Sequence, residues 1–302
     1  MPPDGGSDVP PGGHTAASTA LERVACMLCG REDEEPLFTK DGFQIVRCRG
    51  CGLVYVNPRL TVDALAALYH GQAISPTAYY VRTERQDEKS FAARLRLLER
   101  HHPPGSLLDL GCGTGAFSAV ARARGWQTTG LDVNAQSIAR CHQRGLDAIC
   151  DVFPSRALAG RSFDVIVMND FIEHLPDSGA ALSAAAELLG PSGVLFIATP
   201  DIGSLMARLT GQRWLHLKPN EHLVYFDRRT IEALLTGRGF HVEYLHSVGR
   251  VRNLAVALEK VRAYGELPSR LARALVPRWL AERVNVPLNP GDEMAVVARR
   301  TC

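Results

Sequence analysis

The sequence predicts an α/β fold, a parallel sheet with helices on its faces, and two observations support this prediction. Short apolar runs alternate with segments of helical periodicity from residue 106 onward, as they do in parallel sheets. The first apolar run ends in an acid and a glycine-rich turn, LLDLGCGTGAF at Leu107–Phe117. The predicted strands are Ser106–Leu110, Gln127–Leu131, Asp147–Cys150, Asp164–Met168 and Val194–Ala198, and the predicted helices are Ala116–Arg124, Ala135–Gln143 and Ala180–Leu189.

Three glycines at alternate positions follow the first predicted strand. Gly111, Gly113 and Gly115 come directly after Asp109 and Leu110. Each glycine permits backbone torsions or a close approach that a Cβ would forbid. The order D-x-G-x-G-x-G differs from the G-x-G-x-x-G fingerprint of dinucleotide-binding turns. The pattern therefore predicts a turn into a helix, with a ligand against the backbone of the turn.

A second acid marks the tip of the next predicted strand. Asp132 follows Gln127–Leu131 and lies 23 residues after Asp109. A carboxylate at this position can accept two hydrogen bonds from a ribose diol. The alternative is a glycine turn in another doubly wound fold, in which Asp132 only caps the following helix.

These motifs resemble those of class I S-adenosylmethionine (SAM) dependent methyltransferases, over roughly residues 80–302. The resemblance implies a Rossmann-like sheet of seven strands, with Val242–Ser247 as the sixth and Met294–Arg299 as a seventh that inserts antiparallel. It implies that Asp151 binds the adenine amino group of SAM beside Val152; the alternative is that Asp151 is a surface turn residue. The residues assigned to the cofactor are Asp109, Gly111, Gly113, Gly115, Asp132, Val133, Asp151, Val152 and Asn169.

Composition and charge narrow the class of protein. The chain has 302 residues, 46% of them hydrophobic, and a formal net charge of +2, which predicts no strong attraction to nucleic acid. The sequence contains no run of 18 apolar residues, so it predicts no membrane-spanning helix. Proline and glycine make up eight of the first twenty residues, and no basic segment precedes an apolar core there. We therefore expect a disordered tail over 1–20 in a cytoplasmic protein.

Four of the eight cysteines form two C-x-x-C pairs. Cys26 and Cys29 are separated by 18 residues from Cys48 and Cys51, which is the spacing of a four-cysteine zinc site. Four thiolates fill a tetrahedral shell, so the predicted zinc is structural rather than catalytic. The predicted ribbon packs on the catalytic domain or forms part of the substrate entrance; the alternative is a nucleic-acid reader.

An acidic segment follows the fourth predicted strand. Asp170-x-x-Glu173-His174 is similar to the Glu-x-x-Glu-His run of ubiquinone-pathway O-methyltransferases. That resemblance implies a divalent cation such as Mg²⁺, held by the two acids and the histidine. Here Asp170 replaces the first glutamate. The alternative is structural, because acids in the first turn of a helix are favoured by its dipole.

The loop after the fifth predicted strand holds the principal catalytic candidate. Pro219–Phe226 resembles the P-x-E-H-x-x-x-F segment of the SAM-binding family that also has an N-terminal cysteine ribbon. We expect His222 to act as acid/base or to orient the substrate, because an imidazole titrates near neutral pH and Glu221 can fix its tautomer. The competing candidate is His174, as base or metal ligand. A third reading is that His222 only hydrogen-bonds the loop.

The sequence thus divides into four predicted parts. These are the tail 1–20, the zinc ribbon 21–57, a helical cap 58–100 and a methyltransferase domain 101–302 with a helical insertion at about 250–284, which we interpret as a lid. The predicted activity is methyl transfer from SAM to an oxygen or carbon of a small-molecule acceptor in natural-product or glycan biosynthesis. The alternatives are an RNA methyltransferase and a non-catalytic SAM-binding protein. The oligomeric state and the acceptor stay open at this point.

Overall fold

The computed structural model describes residues 21–70, 77–254 and 284–301. The tail predicted over 1–20 and most of the predicted insertion lie outside the described residues. The strands are β1 (Leu21–Glu22), β2 (Glu34–Lys40), β3 (Phe43–Cys48), β4 (Val54–Val56), β5 (Arg59–Leu60), β6 (Ser106–Leu110), β7 (Gln127–Asp132), β8 (Asp147–Cys150), β9 (Phe163–Asn169), β10 (Leu189–Pro200), β11 (Val224–Tyr225), β12 (Phe240–Ser247), β13 (Arg250–Asn253), β14 (Asn285–Leu288) and β15 (Glu293–Arg300). The helices are α1 (Val62–His70), α2 (Thr77–Leu98), α3 (Ala116–Arg122), α4 (Ala135–Gln143), α5 (Ser178–Leu188), α6 (Leu205–Thr210) and α7 (Arg228–Thr236).

A seven-stranded sheet in the order β12-β15-β10-β9-β6-β7-β8 forms the centre of the fold. The strands β6 to β10 pair in parallel, whereas β15 runs antiparallel to both β10 and β12. The seven-stranded Rossmann-like sheet with an antiparallel last strand is therefore confirmed. The carboxyl ends of the parallel strands share one edge, which is where ligands bind in such sheets.

The middle of β9 is a continuous apolar run because both faces of the sheet are covered there. In β9, Ile166 and Met168 belong to one core cluster, and Val165 and Val167 belong to another. All four side chains have an exposed fraction of 0%. Burial of one such side chain stabilises the fold by about 1.5–3 kcal/mol. The two-sided core thus fixes where each strand ends and its polar tip begins.

The cysteine ribbon is joined to the methyltransferase part by a shared sheet and a shared core. A four-stranded sheet has the order β11-β4-β3-β2, and β11 belongs to the loop after β10. Val46 and Leu53 of the ribbon lie in the same buried cluster as Leu108 and Ile166 of the central sheet. Strand pairing therefore crosses the boundary drawn from sequence at residue 57, and the division into domains stays a prediction.

The start of the predicted helical insertion is a strand. Residues Arg250–Asn253 form β13, which pairs antiparallel with β14 at Asn285–Leu288. The expectation of a helix from residue 250 is wrong, because the backbone of these residues takes its hydrogen bonds from a partner strand. Residues 255–283 lie outside the described part of the chain.

None of the helices in the described ranges combines the length and apolar character that a membrane crossing needs.

Candidate active site

The glycine turn connects β6 to α3. Gly111, Gly113 and Gly115 have φ angles of 72°, 51° and 75°, in the left-handed region that favours glycine. A Cβ at Gly111 would lie 2.5 Å from the ring of Phe171, and one at Gly115 would lie 2.5 Å from Leu146. A Cβ at Gly113 would meet no atom within 4 Å. Packing thus fixes the first and third glycines, while the backbone at Gly113 faces open space in which a ligand can approach.

Asp132, at the tip of β7, is bonded to this turn. Its carboxylate accepts hydrogen bonds from the backbone N–H of Gly113 at 2.9 Å and of Asn134 at 2.8 Å. Burial raises the pKa of the carboxyl group. The side chain that caps α4 is Asn134, which accepts from the Ser137 N–H at 3.0 Å. The interpretation of Asp132 as a helix cap is therefore wrong. The carboxylate instead holds the glycine turn and lies where it can contact a ligand bound there.

Asp109 lies beneath the turn. The side chain is 1% exposed, and its carboxyl oxygen accepts from the hydroxyl of Ser118 at 2.7 Å. Burial raises the pKa of Asp109 to about 7, with the Ser118 hydrogen bond opposing the shift. Asp109 therefore braces the turn against α3.

The tips of β7 and β8 lie side by side, because the N–H of Asp151 donates to the carbonyl of Asp132 at 3.1 Å. The Asp151 carboxylate closes its own turn, accepting from the Val152 N–H at 2.8 Å and from the Ser155 hydroxyl at 2.5 Å. Val152 is 59% exposed and Val133 is half-buried. An apolar side chain so exposed at a strand tip is available to pack against a flat ligand.

Asn169 ends β9 with a buried amide of fixed orientation. Its Oδ1 accepts from Nη1 of Arg94 at 2.9 Å, so Nδ2 is the donor end. Nδ2 has no hydrogen-bond partner among the described residues. A buried donor without a partner is unfavourable unless a ligand or water supplies an acceptor.

Asp170 belongs to a partly buried ionic network, in which Arg94 and Glu293 are the buried members, rather than to the acidic segment that follows it. Its carboxylate lies 2.5 Å from Arg250 and 3.5 Å from Arg94, and both arginines also pair with Glu293. Burial opposes ionisation of Asp170, but Arg250 and Arg94 hold its pKa well below the ordinary value. The prediction that Asp170, Glu173 and His174 share a cation is therefore corrected, because the charge of Asp170 is already matched by two guanidinium groups.

The structure brings together Glu173, His174 and His222, although His222 is far from the other two in sequence. Their potential ligand atoms all lie within 4.8 Å of one another, and the ring centroids of the two histidines are 4.7 Å apart. Oε1 of Glu173 and Nδ1 of His222 are buried and lack a partner among the described residues. The cluster thus offers three side chains with two free polar atoms.

Two neighbouring hydroxyl groups hold this cluster. The hydroxyl of Tyr69 lies 2.9 Å from Nδ1 of His174, and the Thr199 hydroxyl donates to Oε2 of Glu173 at 2.9 Å. Each contact engages one polar atom of its partner. The second oxygen of Glu173 has no hydrogen-bond partner among the described residues.

Burial governs the protonation of the cluster. Burial, and next the Asp170 carboxylate, raise the pKa of Glu173 to about 8. Burial lowers the pKa of His174, and burial with the neighbouring His174 lowers that of His222 well below its ordinary range. The expectation that His222 titrates near neutral pH is wrong. These shifts favour neutral imidazoles and a protonated carboxyl group at neutral pH.

Glu221 does not fix the tautomer of His222. Its carboxylate lies 3.5 Å from Nζ of Lys218, and Nδ1 of His222 has no partner in the described part of the chain. Adjacent residues in a turn direct their side chains differently, so proximity in sequence gave the wrong partner here.

Cys26, Cys29, Cys48 and Cys51 converge as predicted. The Sγ atoms of Cys26 and Cys51 are 3.4 Å apart, as are those of Cys29 and Cys48, and all four lie within 4.8 Å. A tetrahedral zinc with Zn–S bonds of about 2.3 Å requires sulfur separations of about 3.8 Å. Burial opposes ionisation of Cys48, but the Cys51 backbone N–H lowers its pKa to about 7. The cluster is compatible with a zinc ribbon.

Sequence reasoning missed Arg94, Glu293 and Tyr69. The sequence around Arg94 did indicate a buried ion pair. Arg94 lies three residues after Phe91 and next to Leu95 on the apolar face of α2, where a charged residue requires a buried partner. No local sequence pattern indicated a site role for Tyr69 or Glu293, because each contacts a partner that is far away in the chain.

The fold and this site define a class of protein, namely α/β enzymes that bind a ligand over a glycine turn. Residues 81–245 match a family model described as a methyltransferase domain. The ubiquinone biosynthesis O-methyltransferase of Idiomarina loihiensis is 36% identical over 166 residues, which are 47% of this chain and 68% of that enzyme. The chain therefore belongs to the methyltransferase-domain family, and it is a SAM-dependent methyltransferase.

Other relatives and solved structures agree on the fold. The ubiquinone biosynthesis O-methyltransferase of Stutzerimonas stutzeri is 34% identical over 31% of this chain and 43% of its own length. A SAM-dependent methyltransferase from Archaeoglobus fulgidus superposes with a TM-score of 0.52 at 21% identity, over 74% of this chain and 99% of its own. The 1,6-didemethyltoxoflavin-N1-methyltransferase of Burkholderia thailandensis superposes with a TM-score of 0.52 at 17% sequence identity. The superposition covers 89% of this chain and 100% of that structure. The chain thus spans about two thirds of the Idiomarina enzyme and less than half of the Stutzerimonas enzyme.

The site residues fit SAM better than they fit Mg²⁺. The open backbone at Gly113, the Asp132 carboxylate beside it and the free amide donor of Asn169 are groups that a nucleoside with an amino-acid tail can engage. Mg²⁺ prefers an octahedron of oxygen ligands. With Asp170 engaged by arginines, the acidic segment together with His222 offers one carboxylate and two imidazoles, and this ligand set does not fit Mg²⁺.

Proposed function

We propose that the chain transfers the methyl group of SAM to an oxygen, or a carbon, of a small molecule. The observation that supports the proposal most strongly is the cluster of Glu173 and His174, which follow β9, with His222 from the loop after β10. The cluster lies at the sheet edge that also holds the glycine turn. Phe171, just before the cluster, packs against Gly111 of that turn. The O-methyltransferase relatives favour oxygen as the nucleophile. Bound SAM supplies an electrophilic methyl group on a sulfonium centre.

In this proposal the cofactor lies along the backbone of Gly111–Gly115. Asp132 accepts hydrogen bonds from the ribose, Asp151 accepts from the adenine amino group, and Val133 and Val152 flank the ring. Asn169 Nδ2, oriented by Arg94, donates to the amino-acid end. Proximity and orientation of two bound partners then contribute most of the rate enhancement.

His222 is the residue that we place at the acceptor's reacting group. Its Nδ1 is buried and without a partner among the described residues, and burial keeps the ring neutral, so it can accept a proton from a hydroxyl. His174, whose ring centroid lies 4.7 Å away, is held by Tyr69 and supports the wall of the site. Because burial also lowers the pKa of His222, its contribution in this proposal includes orientation of the acceptor hydroxyl as well as proton acceptance.

The pathway and the ribbon complete the proposal. We place the acceptor in natural-product or surface-glycan biosynthesis, because the family that the ribbon and Pro219–Phe226 resemble includes such enzymes. We place one structural zinc ion on Cys26, Cys29, Cys48 and Cys51, which leaves no open coordination position for chemistry.

The test compares His222→Gln with His241→Gln, an exposed histidine on β12. S-adenosylhomocysteine release is measured with phenols, catechols and sugar nucleotides as acceptors, and SAM affinity is measured by calorimetry. We expect His222→Gln to lower turnover by about a hundredfold or more with SAM affinity unchanged, and His241→Gln to match wild type. Methylation of co-purifying RNA, with salt-sensitive binding, would overturn the small-molecule assignment. Turnover unaffected by His222→Gln would remove His222 from the mechanism.

A further inference from the structure

The cluster after β9 has the composition of a metal site. One carboxylate and two imidazoles offer ligand atoms that lie within 4.8 Å of one another. Glu173 is 2% exposed and His222 is 5% exposed, so neither is a solvated surface group. Oε1 of Glu173 and Nδ1 of His222 lack any partner among the described residues. Two buried polar atoms without partners in one cluster indicate that something beyond the described residues, such as a bound ligand, satisfies them.

The surroundings of the cluster resemble an outer ligand shell. A histidine that binds a metal usually bonds through its second ring nitrogen to a nearby polar group, which fixes ring orientation and tautomer. Nδ1 of His174 lies 2.9 Å from the Tyr69 hydroxyl, and the Glu221 backbone also bonds to this imidazole, so the ring is held in a fixed orientation. The Thr199 hydroxyl donates to one oxygen of Glu173 at 2.9 Å and leaves the other oxygen free.

We infer that Glu173, His174 and His222 bind one divalent transition-metal ion, such as Mn²⁺, Fe²⁺ or Zn²⁺, in preference to Mg²⁺. Two imidazoles and one carboxylate with open positions form the ligand set of such ions, whereas Mg²⁺ takes oxygen ligands. This ligand set differs from Asp170-x-x-Glu173-His174, because Arg94 and Arg250 hold Asp170 and the loop after β10 supplies His222 in its place.

The inference rests on the methyl transfer of the proposed function and replaces the role that the proposal gives to His222. With an ion in the cluster, His222 is a metal ligand, and the ion instead of the imidazole activates the acceptor. A bound divalent ion acts as a Lewis acid that favours the deprotonated form of an acceptor hydroxyl. Loss of His222 would then abolish activation of the acceptor through loss of the ion.

The test uses the full chain and Mn²⁺ as the probe. The six-line EPR signal of free Mn²⁺ broadens on binding, and thiolates retain Zn²⁺ against Mn²⁺, so zinc in the ribbon stays in place. We expect about one Mn²⁺ per chain beyond the ribbon metal, not displaced by Mg²⁺. Glu173→Gln and His222→Gln should each weaken Mn²⁺ binding by about tenfold or more, and Tyr69→Phe, which keeps all three ligands, by about tenfold. Asp170→Asn and the control His142→Gln should bind Mn²⁺ as wild type does.

The outcomes separate the metal site from the reaction. Folding of each variant is checked by its melting curve, and Tyr69→Phe tests the site even if a ligand variant fails to fold. Absence of bound Mn²⁺ in the wild type, or loss of binding in Asp170→Asn, would overturn the inference. Methyl transfer that proceeds equally well without the second ion would overturn it and leave the proposed function intact. Bound Mn²⁺ with no methylation of any small molecule would uphold the site and overturn the proposed function.

Discussion

The backbone N–H of Leu223 donates a hydrogen bond to the carbonyl of Glu173 at 2.9 Å. On its other side, the Leu223 carbonyl accepts from the N–H of Val56 in β4 of the ribbon at 3.0 Å. Leu223 directly follows His222, so the ribbon, the His222 loop and the acidic segment are connected through one residue. The ribbon therefore positions one wall of the candidate site.

This connection predicts that the ribbon supports catalysis. Cys48→Ser should lose the zinc ion proposed for the ribbon, lower the melting temperature and reduce turnover, because β4 anchors the loop that holds His222. SAM affinity should be largely retained, because the glycine turn makes its contacts with Phe171 and Leu146 rather than with the ribbon. Zinc content by mass spectrometry, calorimetry and turnover provide the measurements.

The control for that variant is Cys150→Ser, an exposed thiol outside the cysteine cluster. It should retain zinc and full turnover. A zinc-free Cys48→Ser protein with wild-type turnover would show that the ribbon has no part in positioning His222.

Asp132→Ala should weaken SAM binding by about 1–3 kcal/mol, because a buried ribose diol loses a charged acceptor. The substitution also releases the N–H of Gly113 from its 2.9 Å hydrogen bond. Asp132→Asn, which keeps one acceptor oxygen, should lose less affinity than Asp132→Ala. Calorimetric titration with SAM measures both.

Asp147→Ala is the matched control, since Asp147 lies at the opposite end of β8 and bonds to Thr129 rather than to the turn. Equal SAM affinities for wild type and Asp132→Ala would refute the assignment of Asp132 to the cofactor.

Arg94→Met should destabilise the protein by about 3–5 kcal/mol, because it removes one cation from a buried network and leaves the carboxylate of Glu293, 2.7 Å away, partly uncompensated. Urea unfolding measures the change. Arg96→Met, on the exposed side of the same helix, should leave the unfolding midpoint unchanged. If both variants unfold at the same urea concentration, the network contributes no net stability.

The pKa of Glu173 predicts a pH-dependent stability. Burial raises this pKa to about 8 from an ordinary 4.5, so the fold favours the protonated carboxyl group. That contribution is complete below about pH 4.5 and is lost as pH rises through about 8. In protein without added metal, the free energy of unfolding of wild type should therefore fall between about pH 5 and about pH 9 relative to that of Glu173→Gln. Parallel pH profiles for the two proteins would contradict the shift.

The sequence by itself determined the elements that depend on neighbouring residues. The bounds of Ser106–Leu110 and Asp147–Cys150 agree with β6 and β8, because an apolar run between turn signals specifies a buried strand locally. Gly111, Gly113 and Gly115 have the positive φ angles that glycine permits. The cysteine spacing correctly predicted that four thiols lie together, because the two cysteines of each C-x-x-C pair lie within a single turn.

Only the tertiary structure decided which polar groups meet. His174 and His222 come into contact because the backbone N–H of Leu223 donates to the carbonyl of Glu173. Asp170 forms ion pairs with Arg94 and Arg250 instead of acting with Glu173 and His174. Such partners lie on different elements, and the order of strands and loops in space brings them together. Burial then sets the protonation of Glu173 and His222, because the unfavourable desolvation of a charge depends on everything packed around it. No pattern along the chain encodes that environment locally.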